Sequence, residues 1–179
     1  IKRNDFVVCV APGAAESAKA RMWPYDRYAE LCDEIISRHD VKIVFTGTPN
    51  ESELVKAIQN RMEHKDKTMN AAGEINLNQL FYLISKCRLF IGNDAGPMHV
   101  AAAQGVKAIG LFGCNLPIRF KPFGKNNYFI YKKSNQEACI NIHKGQVGEC
   151  RHGMENACVK KIQVDDVMQV VDEVMKKKG

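Results

Sequence analysis

Across the 179 residues no apolar run approaches the ~20 positions that a membrane-spanning helix requires. The opening Ile1-Lys2-Arg3-Asn4-Asp5 lacks the apolar stretch of a secretory leader and reads as a linker into a strand. Aromatic residues make up only 8%, and no basic helix interleaved with aromatics occurs, so a nucleic-acid partner is not expected. Acidic residues are missing altogether from Cys114 to Gln136, a stretch that holds Arg119, Lys121, Lys125, Lys132 and Lys133. Such a stretch either attracts an anionic substrate or membrane surface over a distance, or is a solvated edge. What is present is ordinary for a globular chain: 45% hydrophobic residues, 26% charged residues and a net charge of +6. This length fits a single domain over 1–179, burying about 70% of its unfolded surface.

Phe6 to Ala11 is a continuous apolar run of strand length, as a central parallel strand covered on both faces requires. A long turn carrying Pro12, Gly13, Lys19 and Arg21 follows, and Tyr28, Leu31, Cys32, Ile35 and Ile36 then recur at helical spacing. Val41 to Phe45 is a second strand, Thr46 to Asn50 a turn, and Leu54, Val55, Ile58 and Met62 mark a second helix. Lys67 to Gly73 reads as a short strand and loop. Asn76 caps a helix whose Leu77, Leu80, Phe81 and Ile84 share one face. Tyr128 to Tyr131 is a last strand. An irregular Cys-rich segment spans 134–161, and an amphipathic helix over 164–177 closes the chain.

The most informative stretch is Phe90 to Gly113. An apolar strand, Leu89 to Ile91, enters the polar turn Gly92-Asn93-Asp94-Ala95-Gly96. Pro97 opens a small-residue helix ending at Gly105, and a second strand runs from Lys107 to Phe112. Free N–H groups around Ala95, Gly96, Met98 and His99, with the positive end of the helix dipole, make an anion site suited to phosphate. Asp94 would repel a phosphate, so its role is to orient the turn or to accept from a hydroxyl. Strands alternating with helices call for an α/β fold, a Rossmann-like parallel sheet flanked by helices, whose ligands bind beyond the carboxyl ends of the strands. The loops at Pro12-Gly13, Gly47-Thr48 and Asn93 to Gly96 should therefore meet on one edge.

The string Asn93-Asp94-Ala95-Gly96-Pro97-Met98-His99-Val100-Ala101-Ala102-Ala103 resembles the signature of the heptosyltransferases of bacterial lipopolysaccharide synthesis, glycosyltransferase family 9. Pro12-Gly13-Ala14, Arg21-Met22-Trp23-Pro24, Thr46-Gly47, Gly73, Leu111-Phe112-Gly113 and Cys158-Val159 match in the same order. The resemblance implies one half of a GT-B glycosyltransferase, the half that binds the nucleotide sugar. It further implies an inverting transfer of heptose from ADP-heptose to a lipopolysaccharide core acceptor, with no metal and no other cofactor. The acceptor and the general base are then expected on a facing N-terminal domain, so this chain alone binds donor without turning it over. A cytoplasmic enzyme, peripheral at the inner membrane, is expected. Two rivals stand beside it: the same fold serving a UDP- or GDP-sugar, and a non-catalytic module whose function lies in a metal-binding Cys-rich tail.

The donor-binding residues expected on this basis are Gly13, Lys19, Arg21, Thr46, Gly47, Glu51, Asp94, Ala95, Gly96, Pro97, Met98 and His99. Gly13 and Gly96 permit backbone approach. A basic residue before Trp23-Pro24, Arg21 or the nearby Lys19, is expected to neutralise the diphosphate, while Trp23 itself packs. Glu51 or Glu53 is expected to accept from ribose hydroxyls, unless both are simply first-turn acids favoured by the helix dipole. Ala95 replaces the commoner Ser or Thr of the family pattern and loses a hydroxyl donor. Cys9, Cys32 and Cys87 read as small core residues. Cys114 stands in a loop near the site, and the sequence names no partner for it. Cys139, Cys150 and Cys158 with His143 and His152 offer zinc-ligand chemistry without the spacing of a regular zinc module, or a disulfide; no metal site is assigned.

Overall fold

A computed structural model describes residues 5–132 and 158–176. Six parallel strands form one sheet: β1 (Val7–Ala11), β2 (Lys42–Phe45), β3 (Thr68–Asn70), β4 (Leu89–Asn93), β5 (Lys107–Phe112) and β6 (Tyr128–Tyr131). Their order across the sheet is β3-β2-β1-β4-β5-β6. The central pairing sets Val8 against Leu89 and Val10 against Ile91, and Cys9 lies between Val44 of β2 and Phe90 of β4. The continuous apolar runs become strands because both faces of the sheet are covered.

Alternate residues feed two separate cores. Val8, Val10, Ile43, Phe45, Leu89 and Ile91 pack beneath α1 (Tyr25–His39), α2 (Ser52–Gln59) and α6 (Val164–Lys176). Cys9, Ala11, Val44, Phe90 and Phe112 pack on the other side with Ile84 of α3 (Leu77–Ser85) and Met98 and Ala101 of α4 (Gly96–Ala103). The α1 helix ends on Asp40, held left-handed at φ 46°, which aspartate tolerates better than most side chains do. Cys9, Cys32 and Cys87 are buried, as their patterns required. Burial pushes the Cys32 thiol and the Tyr28 hydroxyl well above their usual pKa ranges; for Cys9 the hydrogen bond shared with Cys87 raises it first and burial second.

Two expectations need correction. The strand β4 runs on through Asn93 and α4 begins at Gly96, so the polar turn shrinks to Asp94 and Ala95. Asn76 does cap α3, accepting from Gln79 N at 3.0 Å while its own N–H donates to Gln79 Oε1 at 2.9 Å. The apolar face assigned to that helix is not a core face throughout, however: Ile84 is buried but Leu77 is 64% and Phe81 37% exposed. A short helix, α5 (Pro117–Phe120), also appears in a stretch to which the sequence assigned no element, since four residues are too few to show a period. The zinc or disulfide reading of Cys139, Cys150, His143 and His152 lies outside the described residues, and Cys158 sits half-buried at their margin. Among the described residues no cluster of His, Cys, Asp and Glu is arranged to hold a metal ion.

Candidate functional site at the carboxyl edge of the sheet

From the β1–β4 pair the chain departs in opposite directions, to β2 on one side and β5 on the other. Such a reversal of strand order opens a crevice at the carboxyl edge. A cleft of about 780 Å³ opens there. Eleven of the twelve expected residues line it: Gly13, Lys19, Arg21, Thr46, Gly47, Glu51, Asp94, Ala95, Gly96, Pro97 and Met98. The three strand-end loops thus meet as topology demands. His99 does not line the cleft; it is exposed on the first turn of α4. Met98 contributes from the backbone, because its side chain is fully buried against Gly110 in the second core. Its N–H closes a turn onto Ala95 O at 3.2 Å, while the N–H of Gly96 is among the first-turn groups that a helix start leaves without an intrahelical acceptor.

Asn93 builds the floor. Its Oδ1 accepts from Trp23 N at 3.0 Å and from the Tyr28 hydroxyl at 3.1 Å, and its Nδ2 donates to Pro12 O at 2.8 Å and Gly13 O at 3.2 Å. Two donations and two acceptances exhaust the capacity of a carboxamide in this setting. Trp23 packs edge-on against Tyr28 with ring centroids 5.0 Å apart, and its Nε1 donates to Ile162 O at 3.0 Å. It is a packing residue, as expected, and it ties the first loop to the segment that precedes α6.

Asp94 is 4% exposed and meets two partners. Asn115 Nδ2 donates to its Oδ2, and Arg21 Nη1 lies 3.8 Å from the same oxygen while donating to the Asp94 carbonyl at 3.2 Å. The Arg21 side chain is 22% exposed, and its buried Nε has no acceptor among the described residues. Asp94 is therefore an orienting group for a cation at the mouth of the cleft. Lys19 lines the same cleft from the same 3-10 segment, Glu16–Arg21, so both candidate cations remain at the site.

Glu51 lines the cleft and Glu53 does not; Glu53 pairs with Lys56 at 2.7 Å on an open surface. The Glu51 carboxylate accepts from Thr48 N at 2.6 Å and from Thr48 Oγ1 at 3.0 Å, which fixes the turn after β2. It also lies directly over Gly13, where any Cβ would run into it. The two glycines singled out in the sequence thus differ. Gly13 is needed by the protein's own Glu51, whereas a Cβ at Gly96 would meet nothing within 4 Å and would project into open space at the α4 terminus.

The remaining wall went unread in the sequence. Ile75, Asn76, Leu77 and Leu80 line the cleft from the start of α3, with Leu54 of α2 beside them, and explain the solvent-facing Leu77. Asn115, 2% exposed beyond the end of β5, was also missed. Its signal was available: it follows a strand end, as the other three loops do. The orienting contact to Asp94 carries no local signature.

A family model, Glycosyltransferase family 9 (heptosyltransferase), matches residues 2–148. The chain is 34% identical over 150 residues to lipopolysaccharide heptosyltransferase 2 of Escherichia coli, covering 83% of this chain and 41% of that protein. It is 33% identical over 132 residues to the lipopolysaccharide core heptosyltransferase OpsX of Haemophilus influenzae, covering 72% of this chain and 37% of the relative. The solved E. coli ADP-heptose lipopolysaccharide heptosyltransferase II superimposes with a TM-score of 0.82 at 23% identity, over 99% of this chain and 49% of that one, which establishes the shared fold. The chain therefore spans less than half the length of these relatives. With the matching string set at the switch point of a six-stranded parallel sheet, the chain belongs to glycosyltransferase family 9, the heptosyltransferases.

Proposed function

We propose that this chain is the donor-binding half of an inverting glycosyltransferase that moves heptose from ADP-heptose to a lipopolysaccharide core acceptor. The observation that carries the reading is the composition of the cleft. It is lined by the Arg21 side chain and the start of α4, both suited to a diphosphate. The same cleft is lined by Leu54, Ile75, Leu77 and Leu80, suited to the flat face of a nucleobase. Glu51, also in the lining, accepts from the ribose. The choice of adenine and heptose is supported by the relatives, one of which is named for ADP-heptose.

In this reading the acceptor hydroxyl attacks the anomeric carbon, the bond to the diphosphate breaks, and negative charge grows on the leaving group. Preformed donors aimed at that charge lower the barrier without reorganisation. Arg21, held by Asp94, and the Gly96 N–H are those donors, which makes a metal unnecessary. Asp94 is already engaged by Asn115 and Arg21, so it does not serve as the base. The base and the acceptor site belong to a facing domain, and the protein works on the cytoplasmic side of the inner membrane, where it associates peripherally with its lipid-linked acceptor.

Calorimetric titration of the chain with ADP, UDP and GDP tests this. The expected result is measurable binding with ADP preferred and no sugar transfer by the chain alone. Preference for UDP or GDP would assign the cleft to another nucleotide sugar, and no binding by any of the three would remove the donor-site reading.

A further inference from the structure

Between β5 and β6 the chain crosses from the carboxyl edge of the sheet back to the amino edge, and this crossover has an unusual outer surface. Ile118 is 84% and Phe123 91% exposed, with Leu116 38% exposed beside them. Interleaved with these are Arg119, Lys121 and Lys125, all exposed, and no acidic residue occurs between Cys114 and Gln136. The crossover is anchored from beneath rather than loose. Phe120 packs against the core that holds α4, Pro122 is buried, and the Lys121 ammonium lies 5.7 Å from the centre of the Phe129 ring. Asn127 fastens its far end, donating to Phe123 O and accepting from Ala108 N at 2.9 Å.

Two large apolar side chains held almost wholly in water are costly, each forgoing the burial that its size would reward. Surrounded by cations of one sign, they suit a surface that is anionic at its face and apolar just below it. A protein partner would have to bring both an acidic rim and apolar pockets, whereas the interface of an anionic bilayer supplies the two together. We propose that the crossover from Leu116 to Lys125 docks the protein on an anionic phospholipid bilayer, with Ile118 and Phe123 entering the acyl boundary and Arg119, Lys121 and Lys125 meeting phosphate headgroups. Asn115, at the start of this crossover, hydrogen-bonds Asp94 in the cleft, so docking sets the donor site at the membrane surface. The inference deepens the peripheral association proposed above by naming the surface that performs it. It stands or falls separately from nucleotide binding.

Flotation with vesicles of phosphatidylcholine alone, or phosphatidylcholine mixed with phosphatidylglycerol, tests it. The chain is expected to float with the mixed vesicles, to be released by salt and to ignore the neutral ones. Replacing Arg119, Lys121 and Lys125 by Gln together should weaken partitioning roughly a hundredfold, at about fivefold for each basic residue lost. The pair Ile118→Ser and Phe123→Ser should weaken it severalfold while leaving ADP titration unchanged. In a Phe123→Trp variant the new indole should shift to the blue on mixed vesicles, against the constant background of buried Trp23. Equal flotation with neutral vesicles, no flotation, or an unshifted indole on vesicle-bound protein would overturn the proposal. No flotation of the unsubstituted chain, with its ADP binding intact, would overturn this inference alone; flotation without nucleotide binding would overturn only the donor-site reading.

Discussion

Arg21 Nη1 donates to the backbone carbonyl of Asp94 at 3.2 Å and stands 3.8 Å from its carboxylate, joining the loop after β1 to the loop after β4. The cation is thereby held in place before any ligand arrives, and a held cation loses less freedom on binding than a mobile one. Its buried Nε has no acceptor among the described residues.

Replacing Arg21 with Ala should weaken ADP binding about 10- to 150-fold, the equivalent of one charge-assisted hydrogen bond of about 1.5–3 kcal/mol. Adenosine, which has no phosphate, should bind almost as before. Parallel titrations of the two ligands check this, and equal losses for both would place Arg21 elsewhere than at the diphosphate.

At Gly96 the space that a Cβ would enter is empty of protein. Gly96→Val should therefore leave thermal stability within about 1 kcal/mol of the parent, yet block the approach of a diphosphate to the start of α4. Unaltered ADP affinity in a folded Gly96→Val protein would show that the ligand lies away from this helix.

Asn93 should behave in the opposite way, as a residue of stability first. Asn93→Ala leaves the buried Trp23 N–H and Tyr28 hydroxyl without their acceptor, at about 1–3 kcal/mol for each orphaned group. Urea unfolding of the variant should show a loss of at least about 2 kcal/mol, and a loss below about 0.5 kcal/mol would contradict the network.

Alkaline pH offers a separate check. The Cys32 thiol is raised by burial, so it stays protonated in the folded chain where the unfolded chain has already lost its proton. That contribution is fully present below the unfolded thiol pKa, about 8.5, and is lost as pH rises toward the folded value. Melting temperature should accordingly fall with increasing pH above about 8.5, and less steeply in Cys32→Ala. Identical slopes for the two proteins would assign the alkaline loss to other groups.

The strands could be read from the sequence because a parallel strand covered on both faces is an unbroken apolar run, as Val7 to Ala11 is. Meeting of the strand-end loops followed from that reading by topology alone. What stayed hidden depends on contacts that local pattern does not encode. The spacing of Leu77, Leu80 and Phe81 reveals a helix but not that Leu77 faces a cleft instead of the core, nor that Leu80 lines the cleft while packing on the core. Gly13 was read as a position open to close backbone approach, but the group that lies over it, the Glu51 carboxylate, comes from another loop. His99 was placed at the ligand by its position in the motif; it stands exposed on the first turn of α4, outside the cleft lining.

Asn93 clasps Pro12 across 81 positions of sequence, and β1 and β4 must already lie side by side for it to do so. A chain emerging from the ribosome therefore has no cleft until β4 has been made and has docked. Contacts closed over so long a loop form late and slowly. If the cleft takes nucleotide as proposed, the ligand cannot guide the early steps of folding, for it has nothing to grip. It would act only afterwards, as a lock on the finished sheet, stabilising the folded form by about 2.7 kcal/mol at a hundred times its dissociation constant.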